Sequence, residues 1–283
     1  TAQCGEDGYI GWVMANPGSK VTVWGDTDCD GEADGYLTVD TSKEGWAMYD
    51  SDGNYLGQRG WTKPKRDYKA LEFQIDRAWD DHWSFNGSYT LAWSKGNAEG
   101  PVNTDTNFGD TGRTENFDDP FVNLNGYGPL ANDHRHQFKL RGNYAFNDNW
   151  SVGATVDAQS GGPITAFGVG NPFDATAYHS YYICVENCDS DDSTQRVYEL
   201  QKRGGAGRLP WIVDVGASLS YEHKVGPGVF RAKFAVFNLF DNQKTRYVYQ
   251  ELEPGIGDRD EFFGKERFLQ SPRYSQITLS LDF

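Results

Sequence analysis

The stretch WSFNGSYTLAW, residues 83–93, alternates bulky apolar side chains with small, mostly polar ones. Trp83, Phe85, Tyr89, Leu91 and Trp93 fall on one face of an extended chain. Successive side chains of a β-strand point to opposite faces. An alternation of this length therefore predicts a strand that has one apolar face and one polar face.

The same alternation recurs along the chain. The other segments that carry it are residues 67–79, 136–146, 150–159, 211–222, 230–236 and 276–283. Strands of soluble proteins average about 5 or 6 residues, whereas a membrane-spanning strand needs about 9 to 11. Most of these segments reach the longer length. The outward-facing positions are predicted to include Leu71, Phe85, Leu140, Val152, Val213, Phe234 and Leu279.

The connections between these segments alternate between short and long. The short ones are residues 80–82, 147–149 and 223–228; the long ones are residues 96–134, 160–209 and 241–271. Outer-membrane barrels have short periplasmic turns and long extracellular loops. This assignment makes the last strand run inward and places Phe283 in the periplasm.

Aromatic residues mark both ends of the predicted strands. Those that flank the short turns on the apolar face are Trp79, Trp83, Phe146, Trp150, Tyr221 and Phe230. Trp93 and Trp211 lie at the opposite ends. From Trp83 to Trp93 a strand with a rise of about 3.3 Å and a tilt of about 40° climbs roughly 25 Å, the height of an apolar membrane band. We therefore predict an all-β fold: an antiparallel meander of about seven long transmembrane strands, forming a partial, open outer-membrane β-barrel.

The composition agrees with this fold. The chain is 15% aromatic, yet its mean hydropathy is −0.69 and it has 2 Met. Such a balance is typical of a barrel, in which alternate strand residues face lipid while the interior and loops are wet. No apolar run approaches the roughly 18 residues of a transmembrane helix. The formal net charge of −15 argues against nucleic acid as a partner.

Four cysteines, Cys4, Cys29, Cys184 and Cys188, lie in polar, loop-like sequence. An even count in such sequence predicts disulfides formed in an oxidising compartment. We favour local pairing, Cys184 with Cys188 and Cys4 with Cys29. A zinc site that includes His179 is the alternative.

Residues 1–66 differ in character from the rest and are predicted to be an extracellular region, with short strands at Val21–Trp24 and Gly35–Val39. An acidic segment between them places carboxylates at Asp26, Asp28, Asp30 and Asp34. Alternating carboxylates around a glycine suit a calcium ion, although the position-twelve glutamate of an EF-hand is absent. The alternative is a solvated acidic turn.

Catalytic motifs are absent from the sequence, and we do not expect an enzyme or a required cofactor. His134 and His136 could share one face near a strand start, where a structural role is more common than metal binding. On the polar faces, the predicted charged residues are Lys139, Arg141, Arg231, Lys233, Asp157, Asp214 and Glu222. We expect the cations to pair with the carboxylates or with a plug.

Several short motifs resemble a known family. Asn238-Leu239-Phe240-Asp241-Asn242, and Ser271-Pro272-Arg273 before a final strand ending in Phe283, are similar to sequences of TonB-dependent outer-membrane receptors. The segments 67–72 and 132–139 resemble the Oar-like branch of these receptors. The resemblance covers roughly residues 55–283.

The resemblance implies a barrel of about 22 strands closed by a plug, in the outer membrane of a Gram-negative bacterium. It implies active uptake of a large substrate, energised by the TonB complex through the plug. The barrel assembly machinery would read the strand ending in Phe283. Since neither a plug nor a TonB-binding motif is recognisable, we expect residues 67–283 to be the C-terminal barrel portion, completed by N-terminal strands of a longer polypeptide.

Two alternatives remain open at this point. One is a self-contained small barrel or porin, which an even strand count and closure would indicate. The other is a secreted calcium-dependent binding protein of the β-sandwich type.

Overall fold

The computed structural model describes residues 16–25, 35–43, 45–49, 54–80, 82–100, 102, 104–106, 116–117 and 120–283. Within these ranges, nearly all regular structure is β-strand, and one short 3₁₀ turn spans Ser193–Gln195. None of the helical structure in these ranges is long and apolar enough to cross a membrane.

The strands are, in chain order, β1 (Lys20–Gly25), β2 (Gly35–Asp40), β3 (Trp46–Tyr49), β4 (Tyr55–Arg59), β5 (Arg66–Asp80), β6 (Trp83–Gly96), β7 (Gly128–Pro129), β8 (His136–Ala145), β9 (Trp150–Gln159), β10 (Pro163–Ile164), β11 (Tyr182–Glu186), β12 (Val197–Leu200), β13 (Gly207–Arg208), β14 (Ile212–Val225), β15 (Gly228–Phe237), β16 (Thr245–Val248), β17 (Glu266–Leu269) and β18 (Tyr274–Asp282).

Seven long strands form one antiparallel sheet in the order β5-β6-β8-β9-β14-β15-β18, and the short β7 pairs with the end of β6. Each long strand pairs with the next long strand along the chain, so the predicted meander is confirmed. Among the described residues, β5 and β18 each pair with a long strand on one side only. The sheet is therefore open, as predicted.

One face of this sheet is apolar and is not packed against a second sheet. A single row of registered residues crosses six strands: Trp83, Tyr144, Val152, Leu219, Phe234 and Ile277. The exposed fraction of Ile277 is 70% and that of Ile75 is 63%. The seven positions predicted to face outward are all absent from the buried core. A β-sandwich would bury them between two sheets, so the sandwich alternative does not describe this fold.

The short turns join the strands closely at one end of the sheet. Asn147 Oδ1 accepts hydrogen bonds from the backbone N–H groups of Asn149 and Trp150, both at 3.0 Å. The turn expected over residues 223–228 is shorter than predicted. β14 continues to Val225 and β15 begins at Gly228, leaving a two-residue turn in which Gly226 has φ +59°. Glycine adopts this left-handed conformation without steric cost.

The buried apolar residues lie mainly in the long connections, at the opposite end of the sheet. They include Phe121, Leu130, Phe167, Tyr181 and Ile183. Short hairpins within these connections, β10 with β13, β11 with β12 and β16 with β17, were not predicted from the sequence. We call this packed region the loop layer: the described parts of residues 97–135, 160–211 and 238–273.

The N-terminal region contains two hairpins. β1 and β2 lie at the two segments predicted to be short strands, and they pair with each other. β3 pairs with β4, and the sequence indicated neither of these two strands. The acidic segment connects β1 to β2, and its Asp26, Asp28, Asp30 and Asp34 lie outside the described residues. Cys4 and Cys29 also lie outside them, so calcium binding and the pairing of these two cysteines stay predictions.

Candidate functional site

The polar face of the sheet carries charges that are paired across strands. Lys139 of β8 is in register with Asp157 of β9, which is in register with Asp214 of β14. Arg141 donates to Asp157 at 3.0 Å, and both side chains are 44% exposed. Strand alternation alone placed these residues on one face, and the structure brings them together as predicted.

A second charged group lies nearer the short turns. Arg231 of β15 donates to Glu222 of β14 at 2.8 Å and also contacts Asp282 of β18. Lys233 is in register with Ser220 and Thr278. These side chains are well exposed, so each pair contributes little to stability. Their effect is to make this face hydrophilic.

The Asn238–Asn242 motif forms a network of hydrogen bonds where the chain leaves β15 and enters the loop layer. Asn238 is 1% exposed and has φ 48°, a backbone conformation that asparagine tolerates better than most residues. Its Nδ2 donates to the carbonyl oxygens of Asn242 and Ser271, both at 2.8 Å. Asn242 donates in turn to the Val213 carbonyl, and the Arg273 N–H donates to Asp241. The motif therefore ties together β14, β15 and the segment that enters β18.

A buried ion cluster joins the loops. The Arg203 guanidinium contacts the Asp105 carboxylate and lies 3.9 Å from Glu99, and all three side chains are almost completely buried. Glu99 accepts from the Thr104 and Ala131 N–H groups at 2.8 and 3.1 Å. Burial raises the pKa of Asp105 to about 6, and nearby Glu99 also raises it, while Arg203 acts in the opposite direction.

A second buried carboxylate anchors the loop layer to the sheet. Asp133 accepts from the β6 backbone N–H of Ser94 at 2.7 Å, from Arg135 at 3.0 Å, and from Arg208. Burial alone would raise the pKa of Asp133, but these donors hold it below its ordinary value. Neither buried cluster was visible in the sequence, because its members come from loops far apart along the chain.

Cys184 and Cys188 form a disulfide with a Cα–Cα distance of 5.8 Å, as predicted, so the zinc alternative does not apply. The buried Glu253 accepts from the Cys184 N–H at 2.9 Å and from the Gly257 N–H. Arg259 donates to the Cys184 carbonyl at 2.8 Å. The disulfide is thereby fixed against residues 253–259.

His134 and His136 lie close to different partners. A ring nitrogen of His134 lies 2.7 Å from the Ser160 carbonyl, and one of His136 lies 2.9 Å from the Tyr89 hydroxyl. The described part of the chain contains no group of three or more His, Cys, Asp or Glu residues that could hold a metal ion.

A cleft of about 200 Å³ lies where the loop layer meets the polar face. Its polar lining includes Asn132, His134, Gln159, Arg246, Tyr247 and Gln250. The cleft lies on the polar face, at the loop-layer end of the sheet. This position makes it a candidate contact region for a molecule that enters from the loop side.

Together these features define the class of fold. An open antiparallel sheet with a bare apolar face, a charged opposite face and long loops packed at one end is a partial outer-membrane-type β-barrel.

The chain is similar to the TonB-dependent transporter Oar of Myxococcus xanthus. The two are 27% identical over 249 residues, which cover 80% of this chain and 22% of the relative. The resemblance to the Oar-like branch is therefore confirmed, and the relative is named a transporter, in line with the expectation that the chain is not an enzyme. The chain spans about a fifth of the length of this relative. No family model matches the chain.

Two solved structures show a weaker likeness. The ferric-catecholate import receptor Fiu from K12 E. coli has a TM-score of 0.40 and 15% identity, covering 83% of this chain and 23% of that chain. The siderophore receptor PiuA from Acinetobacter baumannii has a TM-score of 0.40 and 12% identity, covering 85% and 24%.

Proposed function

We propose that this chain is part of the barrel wall, with its extracellular loops, of a TonB-dependent transporter in the outer membrane of a Gram-negative bacterium. The transporter takes up a large substrate actively. The similarity to Oar supports the class of transporter, and the two unlike faces of the sheet support the membrane location.

The observation that carries the proposal is the bare apolar face. The six-strand row from Trp83 to Ile277 presents apolar side chains that the described part of the chain does not cover with a second sheet. Soluble monomers rarely expose contiguous apolar patches beyond a few hundred Å². Hydrocarbon in contact with this face removes the cost of exposing it to water.

The two sheet edges support the proposal that further strands complete the barrel. Each unpaired backbone group costs several kcal/mol in hydrocarbon, so an open edge is not stable there. With seven antiparallel strands, β5 and β18 run in the same direction, and pairing them would create a parallel contact. A barrel of about eight strands is already filled by side chains. We propose that strands from a longer polypeptide pair with both edges, which argues against a self-contained small porin.

The proposed partners follow from this arrangement. Outer-membrane lipid covers the apolar face, and a plug occupies the space against the polar face and receives energy from the TonB complex. The barrel assembly machinery recognises the last strand and Phe283.

Residues 1–66 form an extracellular region, in which Asp26, Asp28, Asp30 and Asp34 bind Ca²⁺. A calcium titration of wild type against Asp28→Asn, followed by isothermal calorimetry, tests that separate proposal: equal heats contradict it.

The experiment is localisation of the intact polypeptide that contains this chain. Membranes separated on a sucrose gradient should contain the protein in the outer-membrane fraction. Its mobility in SDS gels should change on boiling, since folded barrels resist SDS until heated. Cross-linking to TonB should depend on the plug. Recovery in the soluble fraction contradicts the membrane location, whereas insertion without TonB cross-linking contradicts only the energised transport.

A further inference from the structure

A group of cations lies where the apolar face ends, on the side of the long loops. Lys69 of β5 is in register with Trp93 of β6, and Asp67 is in register with Lys95. Lys65 follows the same face, since its Nζ lies 3.4 Å from Asp67. All three lysines are exposed. We call Lys65, Lys69 and Lys95 the rim lysines.

Their height places them at a membrane boundary. From Trp83 to Trp93 the strand climbs roughly 25 Å, the height of an outer-membrane apolar band. Lys69 is level with Trp93, and the other two rim lysines lie just beyond it. Aromatic rings mark the same level: Arg135 lies 5.6 Å from the Trp93 ring centroid, and Lys65 Nζ lies 5.3 Å from that of Tyr127. Tryptophan and tyrosine favour the membrane–water interface.

Among the described residues at this rim, three lysines surround one carboxylate. Asp67 is the nearby carboxylate, and it is shared: the Tyr127 hydroxyl donates to it at 2.7 Å and Lys65 lies within 4 Å. Neither Lys69 nor Lys95 has a carboxylate oxygen within 4.0 Å among the residues that the structure describes.

At the opposite end of the apolar face, the described residues carry no such excess of positive over negative charge. Among the described strand residues there, the one lysine or arginine on the apolar face is Arg77. It contacts Asp80 and stacks over Trp83 at 4.1 Å, so its charge is neutralised. On the apolar face, the described lysines that outnumber their carboxylates thus lie at one membrane boundary, which matches an anion present in one leaflet.

We propose that the rim lysines bind the phosphate groups of a lipid in the outer leaflet of the outer membrane. The inference rests on the proposed function, because it requires the apolar face to lie against lipid. Acyl chains of the lipid contact the apolar residues below the rim, and the lysine ammonium groups hold the phosphate above Trp93. Clustered lysines close to a membrane surface attract anionic headgroups in this way.

The test uses the intact polypeptide purified in mild detergent and mixed with diphosphorylated lipid A. Native mass spectrometry counts the lipid A retained per protein. The variant K65Q/K69Q/K95Q should bind lipid A about a hundredfold more weakly and therefore retain much less of it, given the contribution of each of the three basic residues near such a surface. The matched control K139Q/K224Q/K233Q removes three lysines elsewhere on the sheet and should retain as much as wild type. The variant K65R/K69R/K95R keeps the charges and should also retain it.

Equal retention by the rim variant and wild type overturns the proposal, and so does an equal loss in the control. Inorganic phosphate should release lipid A more effectively than chloride at the same ionic strength, and equal release by both ions also overturns phosphate recognition. Heat-modifiable mobility is measured on every variant. If wild type shows no heat-modifiable mobility, the proposed function itself is contradicted. If K65Q/K69Q/K95Q keeps this mobility and retains as much lipid A as wild type, the rim site alone is contradicted.

Discussion

Arg203 and Asp105 form a buried ion pair although they lie 98 residues apart in the chain. Asp105 also accepts, through its backbone carbonyl, a 2.9 Å hydrogen bond from Gln250. Each residue belongs to a different long connection between strands. The ion pair joins two of these connections, and the Gln250 hydrogen bond joins the third to Asp105.

Replacement of Arg203 by methionine should loosen the loop layer. Removing one partner of a buried ion pair typically costs about 3–5 kcal/mol, because it leaves an uncompensated buried charge. Hydrogen exchange should rise at the loop amides of Gly204 and Ala131 and stay unchanged in β9 and β14. Arg196→Met is the control, since Arg196 donates locally to the Ser190 carbonyl. Equal exchange in the two variants would contradict the assigned role.

Asp105 should make the loop layer more stable in mild acid. Its pKa is raised to about 6 from an ordinary value of 3.8, so the folded state binds more protons than the unfolded state between these values. The contribution of Asp105 to stability is therefore greatest below pH 4, falls as the pH rises to about 6, and is constant above that. Loop-layer exchange protection measured from pH 4.5 to 7.5 should show this fall, after correction for intrinsic exchange rates. Asp105→Asn should flatten the profile; an unchanged profile rules out Asp105 as its source.

Asn238 should be needed for correct joining of the last strands. Asn238→Ala removes two donated hydrogen bonds at a buried position and places alanine at φ 48°, so we expect a loss of about 2–4 kcal/mol. The folded, heat-modifiable fraction of the intact polypeptide should fall. Asn187→Ala is the matched control, because Asn187 has φ 55° but is exposed. A similar loss in both variants would mean that backbone strain alone is responsible.

The strands of the sheet could be predicted because alternation is a local property of the sequence. A strand of a membrane barrel presents apolar residues to lipid at every second position, as in Phe85, Tyr89 and Trp93, even where no other part of the protein covers that face. The end of β14 was placed too early, because the polar residues His223 and Lys224 resemble a turn. They remain paired with β15 since Gly226 permits a two-residue turn.

The loop layer could not be predicted in the same way. Its hydrogen bonds join residues such as Glu253 and Cys184, which are 69 positions apart, through irregular backbone with no periodic pattern. The local disulfide was predicted because Cys184 and Cys188 are close in sequence. Its anchoring by a fully buried glutamate was not, since glutamate is almost never fully buried unless it is paired.

Removal of the disulfide should affect the loop layer alone. In C184S/C188S, exchange should rise around Tyr182–Glu186 and residues 253–259, while the sheet keeps its protection, because the disulfide closes a small loop distant from the long strands. Hydrogen exchange followed by mass spectrometry reports both regions. Loss of the heat-modifiable form would show that the loop layer is needed to form the sheet.

The central claim is that the apolar face of the sheet lies against lipid and the polar face does not. Single cysteines introduced into a cysteine-free form of the intact polypeptide, at residues 138–141 of β8 and 213–220 of β14, can be spin-labelled in outer-membrane vesicles. Labels at Phe138, Leu140, Val213 and Leu219 should be accessible to oxygen dissolved in lipid. Labels at Lys139, Arg141, Asp214 and Ser220 should be accessible to a water-soluble nickel chelate, giving a period of two. Uniform accessibility along both strands, or oxygen accessibility on the charged face, would contradict the account.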